Sequence, residues 1–148
     1  LRIDYHIPNR FLEGYGFSAL AARSAAKDGV DLIVTADIGV RDHAAIDAAY
    51  AAGVDVLVCD HHLPDGEAVP DQAIVLCPKQ EACSYPNPHL AACGVSLKLA
   101  QALLSEHPKW KLLQRSMLKL AAIGTVADVL AENGTTVRAF ARFEPGQA

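Results

Sequence analysis

A chain of 148 residues fits a single domain, and at this length folding buries about 70% of the surface the unfolded chain exposes, enough for a real core. With 51% hydrophobic and 20% charged residues it lies outside the class that stays disordered for want of apolar surface. A net charge of -4 and a pI near 5.8 exclude broad electrostatic capture of nucleic acid, so any firm grip on DNA has to come from other segments.

The opening Leu1-Arg2-Ile3-Asp4-Tyr5-His6-Ile7-Pro8 has neither the basic start nor the apolar run of a secretory signal, which places the protein in the cytoplasm. Ser18 precedes the helix formers that run to Lys27, and Asp28-Gly29 stops them, so residues 18–27 are predicted to be a helix. Asp31-Leu32-Ile33-Val34-Thr35-Ala36 is a short apolar, β-branched run, predicted to be a strand buried on both faces of a parallel sheet. It ends in Asp37-Ile38-Gly39.

Asp42 is positioned to cap a second helix over residues 44–52, stopped by Gly53, after which residues 54–59 form a second strand. That completes a β-α-β unit ending in Asp60-His61-His62. A loop rich in Pro, Gly and Asp leads to a third strand at 73–76, and prolines 78, 86 and 88 discourage helix beyond it. Residues 90–106 are predicted to be a helix with a wide apolar face, and a last helix is predicted from Trp110 to Ala122, leading into Gly124-Thr125-Val126-Ala127-Asp128 and a polar tail from Glu132. Every apolar run is far shorter than the ~20 residues a membrane crossing needs. The fold class is therefore α/β, a doubly wound parallel sheet flanked by helices.

In such sheets ligands sit beyond the carboxyl ends of the strands, and a crossover helix puts neighbouring parallel ends on one edge, about 4.8 Å apart. Asp37 and the Asp60-His61-His62 triplet then converge on one volume. Crowded carboxylates repel, and a divalent cation is the natural compensation. Asp and His together suit Mn2+, Mg2+ or Zn2+, and without thiolates in the cluster Mn2+ or Mg2+ is favoured. Taken alone, Asp37 reads more readily as a turn or capping residue and Asp128 as a cap, and His6, His43, His89 and His107 read as surface or cap residues. Two histidines directly after an acid at a strand end are harder to assign to packing. Cys59, Cys77, Cys83 and Cys93 lack the spacing of a disulfide framework, and a zinc site from Cys77, Cys83, His89 and Cys93 is disfavoured by irregular spacing, so reduced thiols are expected.

Asp60-His61-His62 after a strand, Thr35-Ala36-Asp37-Ile38-Gly39 one β-α unit earlier, and Gly124-Thr125-Val126-Ala127-Asp128 downstream resemble the later motifs of the DHH phosphoesterases. Pro8-Asn9-Arg10-Phe11, Glu13-Gly14-Tyr15-Gly16 and Cys83-Ser84-Tyr85-Pro86 resemble the RecJ-like branch of that family, which degrades single-stranded DNA from the 5′ end in repair and recombination. The resemblance implies a metal-dependent hydrolase with single-stranded DNA as partner. It further implies Asp37 as the carboxylate touching or bridging the metals, with His61 and Asp128 completing one metal shell. Asp60 supports that cluster, and His62 approaches the substrate phosphate or positions a histidine ligand.

Ile38 and Cys77 depart from the residues usual in the family at their positions. The family's first motif, an Asp-x-Asp pair just after the opening strand, is expected upstream of Tyr5, and its smaller DNA-gripping domain after Asp128. The chain is accordingly expected to be a partial DHH domain over 1–148 without its first strand, its sheet edge exposed, binding one metal weakly and hydrolysing little by itself. Two other readings stay open: a DHH phosphoesterase acting on oligonucleotides, cyclic dinucleotides or pyrophosphate, and a catalytically dead α/β interaction module.

Overall fold

The Ser18 hydroxyl accepts the Ala21 N–H at 3.1 Å and so starts helix α1, Ala19–Lys27, in the way the sequence predicts. A computed structural model describes residues 2–9, 11, 13–66, 68–81 and 83–135; Arg10 of the RecJ-like motif and the tail beyond 135 lie outside them. After α1 come strand β1 (Leu32–Ala36), helix α2 (His43–Ala51), strands β2 (Asp55–Cys59) and β3 (Ile74–Leu76), and helices α3 (Ala92–Leu104) and α4 (Trp110–Glu132).

The sheet is parallel with order β1-β2-β3, Leu32 opposite Asp55 and Ala36 opposite Cys59, then Leu57 opposite Ile74 and Cys59 opposite Leu76. Side chains alternate across a strand, so Val56 and Val58 face one way and Cys59 the other. Val56 and Val58 pack with Ala22 of α1 and with Ile46 and Ala49 of α2 in the main core. The opposite face meets α3, where Cys59 approaches Ser96. Helices on both faces make this the expected doubly wound α/β arrangement.

Three local expectations change. Strand β1 is not buried on both faces: Leu32 and Val34 are 52% and 53% exposed, because β1 is an edge strand with no neighbour on its outer side among the described residues. The Asp42 carboxylate accepts no capping hydrogen bond from α2; it accepts the Phe17 N–H at 2.7 Å instead and ties the Gly14-Tyr15-Gly16 turn to α2. Helix α4 does not end near Ala122 but runs through Gly124 to Glu132. A glycine inside a helix costs about 1 kcal/mol relative to alanine. Here it is required, because a Cβ at 124 would run into the Cys93 sulfur of α3.

Cys59 and Cys77 are buried, Cys83 and Cys93 half-buried, and all four are free thiols. Burial pushes the Cys59 and Cys77 thiols above their ordinary range. Among the described residues no helix is long and apolar enough to cross a membrane.

Candidate metal centre

The sheet ladder continues one residue past the strands: Asp37 N–H donates to Cys59 O and Asp60 N–H to Leu76 O, both at 3.0 Å. The two acids are therefore fixed to the sheet edge itself rather than carried on free loops. Between them the chain turns sharply. Asp37 has φ 67°, a left-handed conformation that costs a non-glycine residue about 1–2 kcal/mol. Thr35 Oγ1 donates to Ile38 O at 2.8 Å, and Gly39, at φ 118°, lies so close to Thr35 Oγ1 and Val58 that a side chain there would collide with both.

Asp60 is 1% exposed and its carboxylate is fully engaged. One oxygen accepts the Val40 N–H at 3.0 Å; the other accepts the His61 N–H at 2.7 Å and the His62 N–H at 3.3 Å, and lies 2.7 Å from His62 Nδ1. Burial pushes the Asp60 carboxyl up, but these bonds from Val40, the His62 ring and the two backbone N–H groups outweigh it and hold the carboxyl below its ordinary range. A carboxylate only accepts, so Nδ1 of His62 carries the proton and Nε2 is left to meet a ligand. Asp60 thus organises the turn; it borders the cavity beside His62, but both of its oxygens are already hydrogen-bonded.

His61 is 7% exposed and stands between two carboxylates: Nε2 lies 3.1 Å from Asp37 Oδ1, and Nδ1 lies 3.1 Å from Asp128 Oδ2. A neutral imidazole has one N–H, so one of these contacts sets a lone pair against a carboxylate unless a proton or a metal cation intervenes. That is the fit the structure offers to a divalent ion. The expected trio of Asp37, His61 and Asp128 does gather around one ring, but Asp37 and Asp128 take opposite nitrogens. Two overlapping donor sets result, Asp37-His61-His62 and His61-Asp128-Glu132, each with its ligand atoms within 4.8 Å of one another. Both are oxygen and imidazole sets, which suit Mn2+ or Mg2+.

Asp37 lines two cavities. One of about 540 Å³, between the sheet and helices α3 and α4, also holds His61, Asp128, Leu97 and Met117. The other, of about 470 Å³, is lined by His62, Pro8, Tyr15, Gly39 and Arg41. Arg41 is already committed, its Nε bonded to Leu63 O at 2.6 Å and lying 3.2 Å from Asp65.

A family model described as the DHH family, N-terminal domain, matches residues 1–125. The chain belongs to the DHH family. Its relatives include the single-stranded-DNA-specific exonuclease RecJ of Bacillus subtilis, 43% identical over 129 residues, covering 87% of this chain and 16% of that protein. The RecJ of Escherichia coli is 38% identical over 138 residues, covering 86% of this chain and 24% of that protein. A crystal structure of exonuclease RecJ bound to manganese superposes with a TM-score of 0.60 at 31% identity, over 84% of this chain and 30% of that one. This DHH chain therefore spans a quarter or less of the length of these two curated relatives.

Glu132 is the site residue that sequence reading missed. Its Oε1 lies 3.0 Å from Lys79 Nζ and its Oε2 lies 3.7 Å from His89 Nδ1. The Lys79 bond holds the Glu132 carboxyl below its ordinary range. The available signal was its spacing four residues after Asp128, which marks one helix face only if the helix runs through Gly124. The irregular quartet Cys77, Cys83, His89 and Cys93 forms no metal-ligand group among the described residues.

Proposed function

We propose that this chain forms the cation-holding wall of a divalent-metal-dependent phosphodiesterase that degrades single-stranded DNA from the 5′ end in repair and recombination, in the cytoplasm, with residues 1–148 as part of one DHH domain. The observation that carries the reading is the near-buried His61 with an acid 3.1 Å from each ring nitrogen at the carboxyl ends of two parallel strands. The RecJ relatives and the manganese-bound RecJ structure support the substrate and the metal.

In this reading His61 holds Mn2+ or Mg2+ with Asp37 on its Nε2 side or with Asp128 on its Nδ1 side. A divalent ion bound there would activate water for attack on phosphorus and neutralise charge on the departing oxygen. Asp60, through its four hydrogen bonds, fixes the turn and the His62 ring, whose Nε2 faces the substrate phosphate. Asp37 lies on both cavities, so a strand entering the one beside His62 would bring its phosphate against the cation-holding carboxylate. A chain of net charge -4 contributes little nonspecific attraction, so the grip on DNA belongs to segments outside these residues.

The test is a chimera in which this segment replaces the matching stretch of Bacillus subtilis RecJ. It should release nucleotides from 5′-phosphorylated single-stranded DNA with Mn2+, and the same chimera with Asp37→Asn should not. An inactive but folded chimera that still binds Mn2+ favours the interaction-module reading. Preference for cyclic dinucleotides or pyrophosphate favours another DHH phosphoesterase. The described residues offer two overlapping donor sets that share His61, and the 148-residue chain alone should bind Mn2+ weakly and hydrolyse DNA poorly.

A further inference from the structure

We propose that Lys79 and Glu132 are positioning residues, their ion pair fixing the rotation of α4 so that Asp128 meets His61. The inference rests on the reading above that Asp128 belongs to the cation pocket. Helix α4 rests chiefly on α3; of its residues only Ala121 is buried, and Ile123 and Val126 remain more than half exposed. Its close approach to α3 is at Gly124 and Cys93, where the Cys93 sulfur bonds Ala121 O at 3.5 Å. Asp128 lies one turn beyond that crossing and Glu132 a turn further, about 6 Å along the axis.

Packing along α3 does not by itself fix the rotation of the last turns of α4, whose residues from 122 on are all at least partly exposed. Asp128 and Glu132 share a face, so a tie at 132 sets the rotation at 128. The other end of the tie is firm. Lys79 stands in the turn after β3, where Gln80 Nε2 bonds Val75 O at 3.2 Å and the Cys77 thiol donates to His62 O at 3.3 Å. The Lys79 side chain is only 18% exposed, and its Nζ meets Glu132 at 3.0 Å. The pair thus connects the end of β3, through Cys77, to the same turn that carries His61. With Oε1 on Lys79 and Oε2 3.7 Å from His89 Nδ1, both Glu132 oxygens have a nitrogen neighbour of their own away from His61, which sets Glu132 apart from Asp128.

The experiment uses the 148-residue chain as wild type, Lys79→Met, Glu132→Gln and the double variant. The His61 ring nitrogen resonances are followed in the metal-free protein, Mn2+ affinity by calorimetry, and melting in parallel. A positioning pair predicts that each single variant moves the His61 resonances in the same way and raises the Mn2+ Kd about tenfold, at the low end for partners of metal ligands. The double variant should be no worse than either single. Stronger or unchanged Mn2+ binding in Lys79→Met, beside weakened binding in Glu132→Gln, would overturn the proposal by making Glu132 a ligand. Lower melting with His61 resonances unmoved would also overturn it, leaving the pair a plain structural contact. If the wild type takes up no Mn2+, the cation-pocket reading fails separately, and the metal-free His61 resonances still decide what the pair does.

Discussion

Asp60 and His62 are locked together, the buried carboxylate 2.7 Å from Nδ1 of the ring two residues on, while the same carboxylate reaches back across the sheet edge to the Val40 N–H. One side chain therefore couples the turn after β1 to the turn after β2. Asp60→Asn keeps the shape but gives up an acceptor position and leaves a buried N–H without its partner. It should destabilise the fold by about 1–3 kcal/mol in urea titration.

The pH dependence follows from the same residue. Its folded carboxyl sits below the ordinary value of 3.8, so its stabilisation is complete above that value and is lost as the pH falls through the lower, folded one. Melting temperature should fall on acidification below about pH 4 in the wild type, and the fall should be shallower in Asp60→Asn. Parallel acid limbs in the two proteins would refute the assignment.

Asp37→Gly separates stability from function. Glycine accepts φ 67° without the penalty that aspartate bears, so this variant should be more stable than Asp37→Ala by about 1–2 kcal/mol while both lose Mn2+ affinity. Equal stability of the two would show that the left-handed turn stores no strain.

His61 and His62 should part company under substitution. His61→Gln removes the ring between the two acids and should raise the Mn2+ Kd by more than about tenfold, since even partners of ligands commonly cost that much. His62→Gln should leave the Kd within a few-fold yet abolish DNA hydrolysis in the RecJ chimera. A Kd loss at His62 as large as at His61 would make His62 a ligand and remove its assignment to the phosphate.

Gly124→Ala should push α4 off α3 at Cys93 and cost about 1–3 kcal/mol, the usual range for overpacking. Adding Cys93→Ala removes the opposing sulfur and should recover much of the loss in thermal melts. Failure of the second substitution to compensate would show that the cost does not come from the Cys93 sulfur, since alanine itself favours the helix over glycine.

The elements themselves were legible because they are local. Ser18 before a run of helix formers, a β-branched run closed by Asp37-Ile38-Gly39, and a second closed by Asp60-His61-His62 announce a β-α-β unit, and parallel strand ends then bring those acids to one edge. What sequence could not supply was orientation. Asp60 is turned inward because Val40, twenty residues away, offers it an N–H. His61 is held between two acids because α4 returns over the strand ends, and α4 reaches them only by passing Cys93 at a glycine that locally reads as a helix breaker. Strand β1 has the composition of a buried strand, yet its exposure depends on its place at the edge of the sheet. Periodicity and caps record interactions within a turn or two of chain. The direction a polar side chain takes at a strand end is set by partners distant in sequence, and only the folded arrangement brings them within hydrogen-bonding reach.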